Sequence, residues 1–200
     1  MEKSMEERVD NFVEKVFNIW ETLKVEYGLD KSIPLVIAPS DEFPDYKALM
    51  LNSLFNVEHF KPNEFENGDD SFATTMTYIV PDDDNICHVF CAGVIINAII
   101  IFKIVNKKAE EEMIDFIEII IRHEIGHMIS MAMIHEGITM EESNAVDAKV
   151  KMLENDMYSK MNNTISYEEH ASLPLEAHAN KCANVDVDKL IVLSYKFDQL

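Results

Sequence analysis

Two stretches of the chain carry apolar residues at helical spacing. Val9, Phe12, Val13, Val16, Ile19, Trp20 and Leu23 recur every three or four positions, the pattern of a helix with one buried face. Ser4 and Glu7 form a capping box, and Gly28 stands where a helix can stop. The pattern predicts a helix over about 5–27. The second stretch is broader. Ala109, Met113, Phe116, Ile117, Ile120, Ile121, Ile125, Met128, Ile129 and Ala132 cover several faces, which predicts a helix central to the fold. It is expected to run from a cap at Asn106 to about His135 and to stop at Gly137. Glu110, Glu111 and Glu112 fall in its first turn, where the helix dipole favours them.

Shorter patterns fill the intervals. Residues 33–38 read as an extended piece. A helix is expected within 41–55 from near Pro44, with Leu49, Met50, Leu51 and Leu54 inward. Residues 56–70 read as a loop and 71–80 as a strand. Residues 86–91 and 94–101 read as two further strands with Gly93 at the bend. Cys87 and Cys91, placed in strands, read as small buried hydrophobes. Asp82-Asp83-Asp84 lacks the alternating spacing and terminal Glu of a calcium loop and reads as a solvated turn. Thr139 and Glu142 form another capping box for a helix to about Met161, with Val146, Val150, Leu153 and Met157 inward. Residues 162–172 read as a loop, and Asn162-Asn163-Thr164 as the helix end rather than a glycosylation site. Pro174 starts a helix to about Ala183, and 189–195 reads as helix or strand.

The sum is an α+β chain with a small, mostly antiparallel sheet packed on the central helix. At 200 residues, one domain over 1–200 is expected. A net charge of −20 repels phosphate backbones, so no nucleic-acid partner is expected; a basic peptide would be attracted. The longest apolar run, 89–102, is shorter than a membrane span, so no membrane partner is expected either. Three widely spaced cysteines, Cys87, Cys91 and Cys182, argue against a disulfide framework. They suit a reducing compartment: the cytoplasm, or the host cytoplasm if the chain is viral.

The central helix carries His123-Glu124-Ile125-Gly126-His127. Two imidazoles four residues apart project from one face, one turn apart. That spacing lets both reach one zinc ion. Glu124 lies where a general base can act on metal-bound water. A catalytic zinc takes three protein ligands and keeps one position open. Ser130 and Met133 occupy the positions that an extended motif with a third His would fill with Gly and His, which excludes that class. Two glutamates compete for the third place. Glu154 lies in the polar stretch Glu154-Asn155-Asp156. Glu176 lies in the first turn of the Pro174 helix, beside Ala177, Ala179 and Ala183, whose small size allows close helix approach. Those neighbours favour Glu176.

His123-Glu124-Ile125-Gly126-His127 followed by Leu173-Pro174-Leu175-Glu176-Ala177-His178-Ala179-Asn180 resembles a gluzincin-type zinc peptidase. The Glu-x-x-Ala-Asn portion is similar to the ImmA/IrrE-type peptidases of bacteria, phages and mobile elements. The resemblance covers about 60 residues. It implies a zincin-like fold, with His123, His127 and Glu176 as zinc ligands and Glu124 as the catalytic base. The implied activity is hydrolysis of a protein or peptide substrate. Tyr167, His170 and His178 are candidates for the donor that a tetrahedral oxyanion needs. The strand at 94–101, if at a sheet edge, would pair with an extended substrate. The alternatives are a catalytically inactive zinc-binding module and an acidic protein-interaction module imitating nucleic acid.

Overall fold

The computed structural model describes residues 4–65, 71–160 and 165–200. Helix α1 (Met5–Tyr27) has the expected capping box, with Ser4 and Glu7 bonding reciprocally, and closes at Gly28. Its stripe of Phe12, Val16, Trp20 and Leu23 is fully buried and packs on α3 (Ala98–Asn106) and α4 (Glu110–His135). Helix α4, 26 residues and about 39 Å long, is the element that the others surround. It touches α1, α3, both long strands, α7 (Pro174–Cys182) and α8 (Val187–Asp198).

The sheet is mixed, and its longer pairing is antiparallel, as expected. Strand β3 (Cys87–Asn97) lies in the middle, parallel to β1 (Leu35–Ala38) and antiparallel to β2 (Ala73–Pro81). The expected pair of strands with a bend at Gly93 is one continuous strand. The register shifts between Met76 and Thr77 opposite Gly93 and Cys91. Gly93 belongs there because a Cβ would stand 2.9 Å from the Pro34 carbonyl oxygen and from the Met50 sulfur. At Asn97 the chain turns into α3, the Asn97 side chain accepting the Ile99 N–H at 3.1 Å. The expected strand at 94–101 is therefore half strand and half helix. Apart from the exposed Ile99, its apolar run is buried on either side of the junction, and periodicity cannot separate a buried strand from a buried helix. It is not an edge either; the sheet edge on the α4 side is β2, which packs on that helix.

Because α3 intervenes, Asn106 ends that helix instead of capping the next. Helix α4 starts after Ala109 with no side-chain cap. Its first turn is held instead by ion pairs of Glu110 with Arg8 at 2.6 Å and of Glu112 with Lys196. In α2 (Phe43–Phe55), Met50 and Leu51 are buried as expected, but Leu49 and Leu54 are 61% and 40% exposed. A helix apolar on several sides does not reveal which face turns inward. In α5 (Met140–Tyr158) only Ser143 is buried, and Leu153 is 44% exposed. Val146, Val150 and Met157 are half-buried, because this helix rests on α7 alone to any extent. Helix α5 ends at Tyr158, short of the expected Met161; Met161, Asn162-Asn163-Thr164 and residues 66–70 of the expected loop lie outside the described residues. The expected loop at 162–172 contains a short helix, α6 (Tyr167–Ala171), with a Ser166–Glu169 capping box. Residues 189–195 resolve as helix within α8. Cys87, Cys91 and Cys182 are free thiols. Among the described residues, no helix is long and apolar enough to cross a membrane.

Two contacts fix α7 against α4. Arg122 donates to both Glu26 carboxylate oxygens at 2.7 and 3.0 Å and to the Tyr27 hydroxyl at 3.0 Å. That hydroxyl in turn donates to the Ala183 carbonyl at 2.7 Å. One turn along α4, Gly126 lets the α7 backbone come into contact. A Cβ on Gly126 would stand 2.2 Å from the Ala179 carbonyl oxygen and 3.2 Å from the Ala183 Cβ. Gly126→Ala is therefore expected to lower stability by about 1–3 kcal/mol through overpacking, despite alanine's higher helix propensity. Gly126→Val is expected to lower it further. Thermal unfolding of the three proteins checks the order.

Candidate metal centre

Helix α4 presents His123 and His127 on one face, and the first turn of α7 brings Glu176 over them. The His123 and His127 Nε2 atoms are 3.0 Å apart. Glu176 Oε2 lies 3.0 Å from the first and 3.3 Å from the second. All three side chains are largely sheltered from solvent. For bonds of about 2.0–2.1 Å in tetrahedral geometry, ligand atoms sit about 3.3–3.4 Å apart. The observed triangle is that of a small cation's ligand set, slightly contracted. Glu176 Oε2 is buried and, despite its imidazole neighbours, receives no well-aligned hydrogen bond among the described residues. A buried carboxylate oxygen without a donor is costly, and a cation at the centre of the triangle would satisfy it. This His-His-Glu group can hold a metal ion. Among the described residues, Glu154 is not part of such a group.

The surrounding groups set the orientation of the ligands. Asn180 is one turn after Glu176 on α7 and is buried. Its Oδ1 is 2.8 Å from His123 Nδ1. An amide oxygen only accepts, so Nδ1 carries a proton, and Nε2 is the nitrogen left facing the centre, where it can hold a second proton or a metal ion. Burial disfavours the charged forms of both His123 and Glu176. Their pairing outweighs it: Glu176, Glu124 and Asn180 push the His123 pKa up to about 9. His123 and His127 hold the Glu176 carboxyl far below the usual carboxylate range.

Glu124 stands beside the triangle and outside it. It is 6% exposed, and its Oε2 is 2.8 Å from the Thr75 hydroxyl of β2. That hydroxyl is equally close to the Glu124 carbonyl oxygen and, with one proton, donates to one of them at a time. The carboxylate is thus held at the wall of a cavity of about 560 Å³ that both histidines and Glu176 also line.

The three candidate donors separate. His170 on α6 lines the cavity, with Nε2 3.6 Å from Glu176 Oε2, and its side chain is 55% exposed. The Tyr167 ring lines the same cavity, but its hydroxyl donates to Asp198 at 3.0 Å and so turns away. His178 is on another face of α7, its Nδ1 2.5 Å from Ser130 Oγ. Thr75 was not a candidate from the sequence, where it is one threonine among several in a strand. Asn180 does carry a signal in the sequence: its i,i+4 relation to Glu176 sets the two on one face of α7.

If the triangle is the ligand set, protein loaded with zinc and then desalted holds one ion per chain. His123→Ala, His127→Ala and Glu176→Ala are expected to lose it, and Glu154→Ala to keep it. Asn180→Ala is expected to bind about 10- to 100-fold more weakly. Elemental analysis and chelator competition measure both effects. Comparison of the chain with protein-family models, curated proteins and solved structures finds no match.

Proposed function

We propose that the protein is a zinc-dependent metallopeptidase of the gluzincin type with a zincin-like arrangement of helix and sheet. The observation that carries this reading is the placing of a buried, unligated carboxylate, Glu124, beside the His123–His127–Glu176 triangle on the wall of an open cavity. Structural zinc sites use four protein ligands, whereas catalytic ones use three and keep a position for water. Zinc held by the triangle would supply Lewis acidity and bring the pKa of a bound water toward about 7.

The protein's own groups do the rest. Glu124 takes a proton from the attacking water at its carboxylate and returns it to the leaving amine. Thr75 holds that carboxylate by its hydroxyl, so little rotamer freedom is lost when substrate arrives. His170, on the cavity side of Glu176, is the donor best placed to meet the oxyanion that develops on the substrate carbonyl. Ser71 to Thr75 of the β2 side line the cavity, and among the described residues β2 has β3 on one side only. Its other edge offers backbone N–H and C=O groups to an extended peptide. That edge lies beside α4, as the reaction requires.

Glu124→Gln is expected to keep full zinc stoichiometry and to lose about 10²–10⁴-fold in cleavage rate. A zinc-loaded sample acting on unfolded casein, followed by peptide release, measures the loss. Cleavage at the unmodified rate in Glu124→Gln would exclude the assignment.

A further inference from the structure

The α4–α7 seam carries a second cluster of ligating side chains beyond the first. Gly126 brings the two backbones together at Ala179 and Ala183. The next turns of α4 then set Ser130 and Met133 against His178 and Cys182 of α7. His178 and Cys182 are four residues apart and share a face of α7; Ser130 and Met133, three apart, share a face of α4. None of the four lines the cavity that holds Glu124 and the His123–His127–Glu176 group. The chemistry differs as well: a thiol, a thioether and an imidazole stand here in place of two imidazoles and a carboxylate.

The cluster has the spacing of a ligand set. Cys182 Sγ is 3.8 Å from Met133 Sδ and 3.9 Å from His178 Nε2. Bonds to a first-row ion are about 2.3 Å from sulfur and about 2.0 Å from nitrogen. Ligand atoms about 110–120° apart then stand about 3.8–4.0 Å from each other for two sulfurs, and about 3.5–3.8 Å for sulfur and nitrogen. The imidazole is also held. His178 Nδ1 lies 2.5 Å from Oγ of Ser130, a buried residue. A ligating imidazole gives its other N–H to such a partner, which leaves Nε2 on the Cys182 side. Met133 is 69% exposed, so an ion reaches the sulfurs from solvent.

We propose that Met133, His178 and Cys182 bind one copper(I) ion, with Ser130 orienting the imidazole. Thiolate and thioether are soft ligands and select a soft cation. Zinc is held by thiolate, imidazole and carboxylate, so the thioether separates this cluster from the His123–His127–Glu176 group on the same two helices. As the sulfur–copper bond forms, the Cys182 thiol gives its proton to solvent and the copper stays monovalent. The geometry does not describe a nucleophilic cysteine instead. Burial pushes the Cys182 thiol up, whereas a reactive thiol needs its pKa lowered. The copper site stands apart from the peptidase reading and does not depend on it.

Zinc-loaded protein titrated anaerobically with copper(I), in competition with bicinchoninate, tests the proposal. The unmodified protein is expected to withhold one copper per chain from the chelator. Cys182→Ser, His178→Gln and Met133→Leu are expected to lose it, and Cys91→Ser to keep it. Ser130→Ala is expected to bind about 10- to 100-fold more weakly. Zinc content and thermal unfolding of the same samples are expected to stay unchanged. The copper-edge X-ray absorption spectrum of the unmodified protein checks the ligands without any substitution. It is expected to show two sulfurs at about 2.3 Å and one nitrogen at about 2.0 Å. No copper withheld, copper kept by any of the three ligand variants, or a spectrum with fewer than two sulfurs would overturn the site.

Discussion

Gly126 against the Ala179 carbonyl is the contact on which the site depends. Two helices normally keep their axes 8–10 Å apart because side chains stand between them. Here a glycine in the middle of α4 removes one side chain, and Ala179 and Ala183 keep the facing surface of α7 small. The first turn of α7 then delivers Glu176 to the two imidazoles. The same α7 residues are anchored from outside, where Tyr27 reaches the Ala183 carbonyl and Arg122 holds Tyr27 and Glu26. Glycine inside a helix costs about 1 kcal/mol relative to alanine. At this position the cost is offset by an approach that no larger residue permits.

Once the helices meet, electrostatics determines what the triangle can do. Two imidazoles and a carboxylate with converging lone pairs, sheltered from water, need positive charge among them. A proton on His123 supplies part of it, in keeping with its raised pKa. A divalent cation would supply more and would also engage the Glu176 oxygen that lacks a well-aligned donor. Asn180 and Thr75 are the neighbours that make the arrangement directional. Asn180 fixes which nitrogen of His123 faces the centre, and Thr75 fixes where the Glu124 carboxylate stands. One comes from α7 and the other from β2, so the centre joins three elements that are far apart in the chain.

What could be read in the sequence was local. Capping boxes at Ser4 and Thr139, and Pro174 at a helix start, gave the starts of three helices to within a residue. Histidines four apart on a helix must share a face, so their pairing needed no tertiary knowledge. The Ser166–Glu169 box carries the same signal, but α6 is too short to show the periodicity that marks a helix. The switch from β3 to α3 at Asn97 was hidden by a run of Ile and Val buried on both sides of the junction. The choice between Glu176 and Glu154 turned on the alanines beside Glu176, and two of them, Ala179 and Ala183, are the residues that meet Gly126. Thr75 and the β2 edge left no trace, since their importance comes from strand order alone.

The central claim is that His123, His127 and Glu176 form one metal-binding group, and X-ray absorption spectroscopy of the zinc-loaded protein tests it most directly. The proposed centre predicts two imidazole nitrogens and one carboxylate oxygen at about 2.0–2.2 Å, with one further light atom and no sulfur. A sulfur shell at about 2.3 Å, or a spectrum with fewer than two imidazoles, would contradict it.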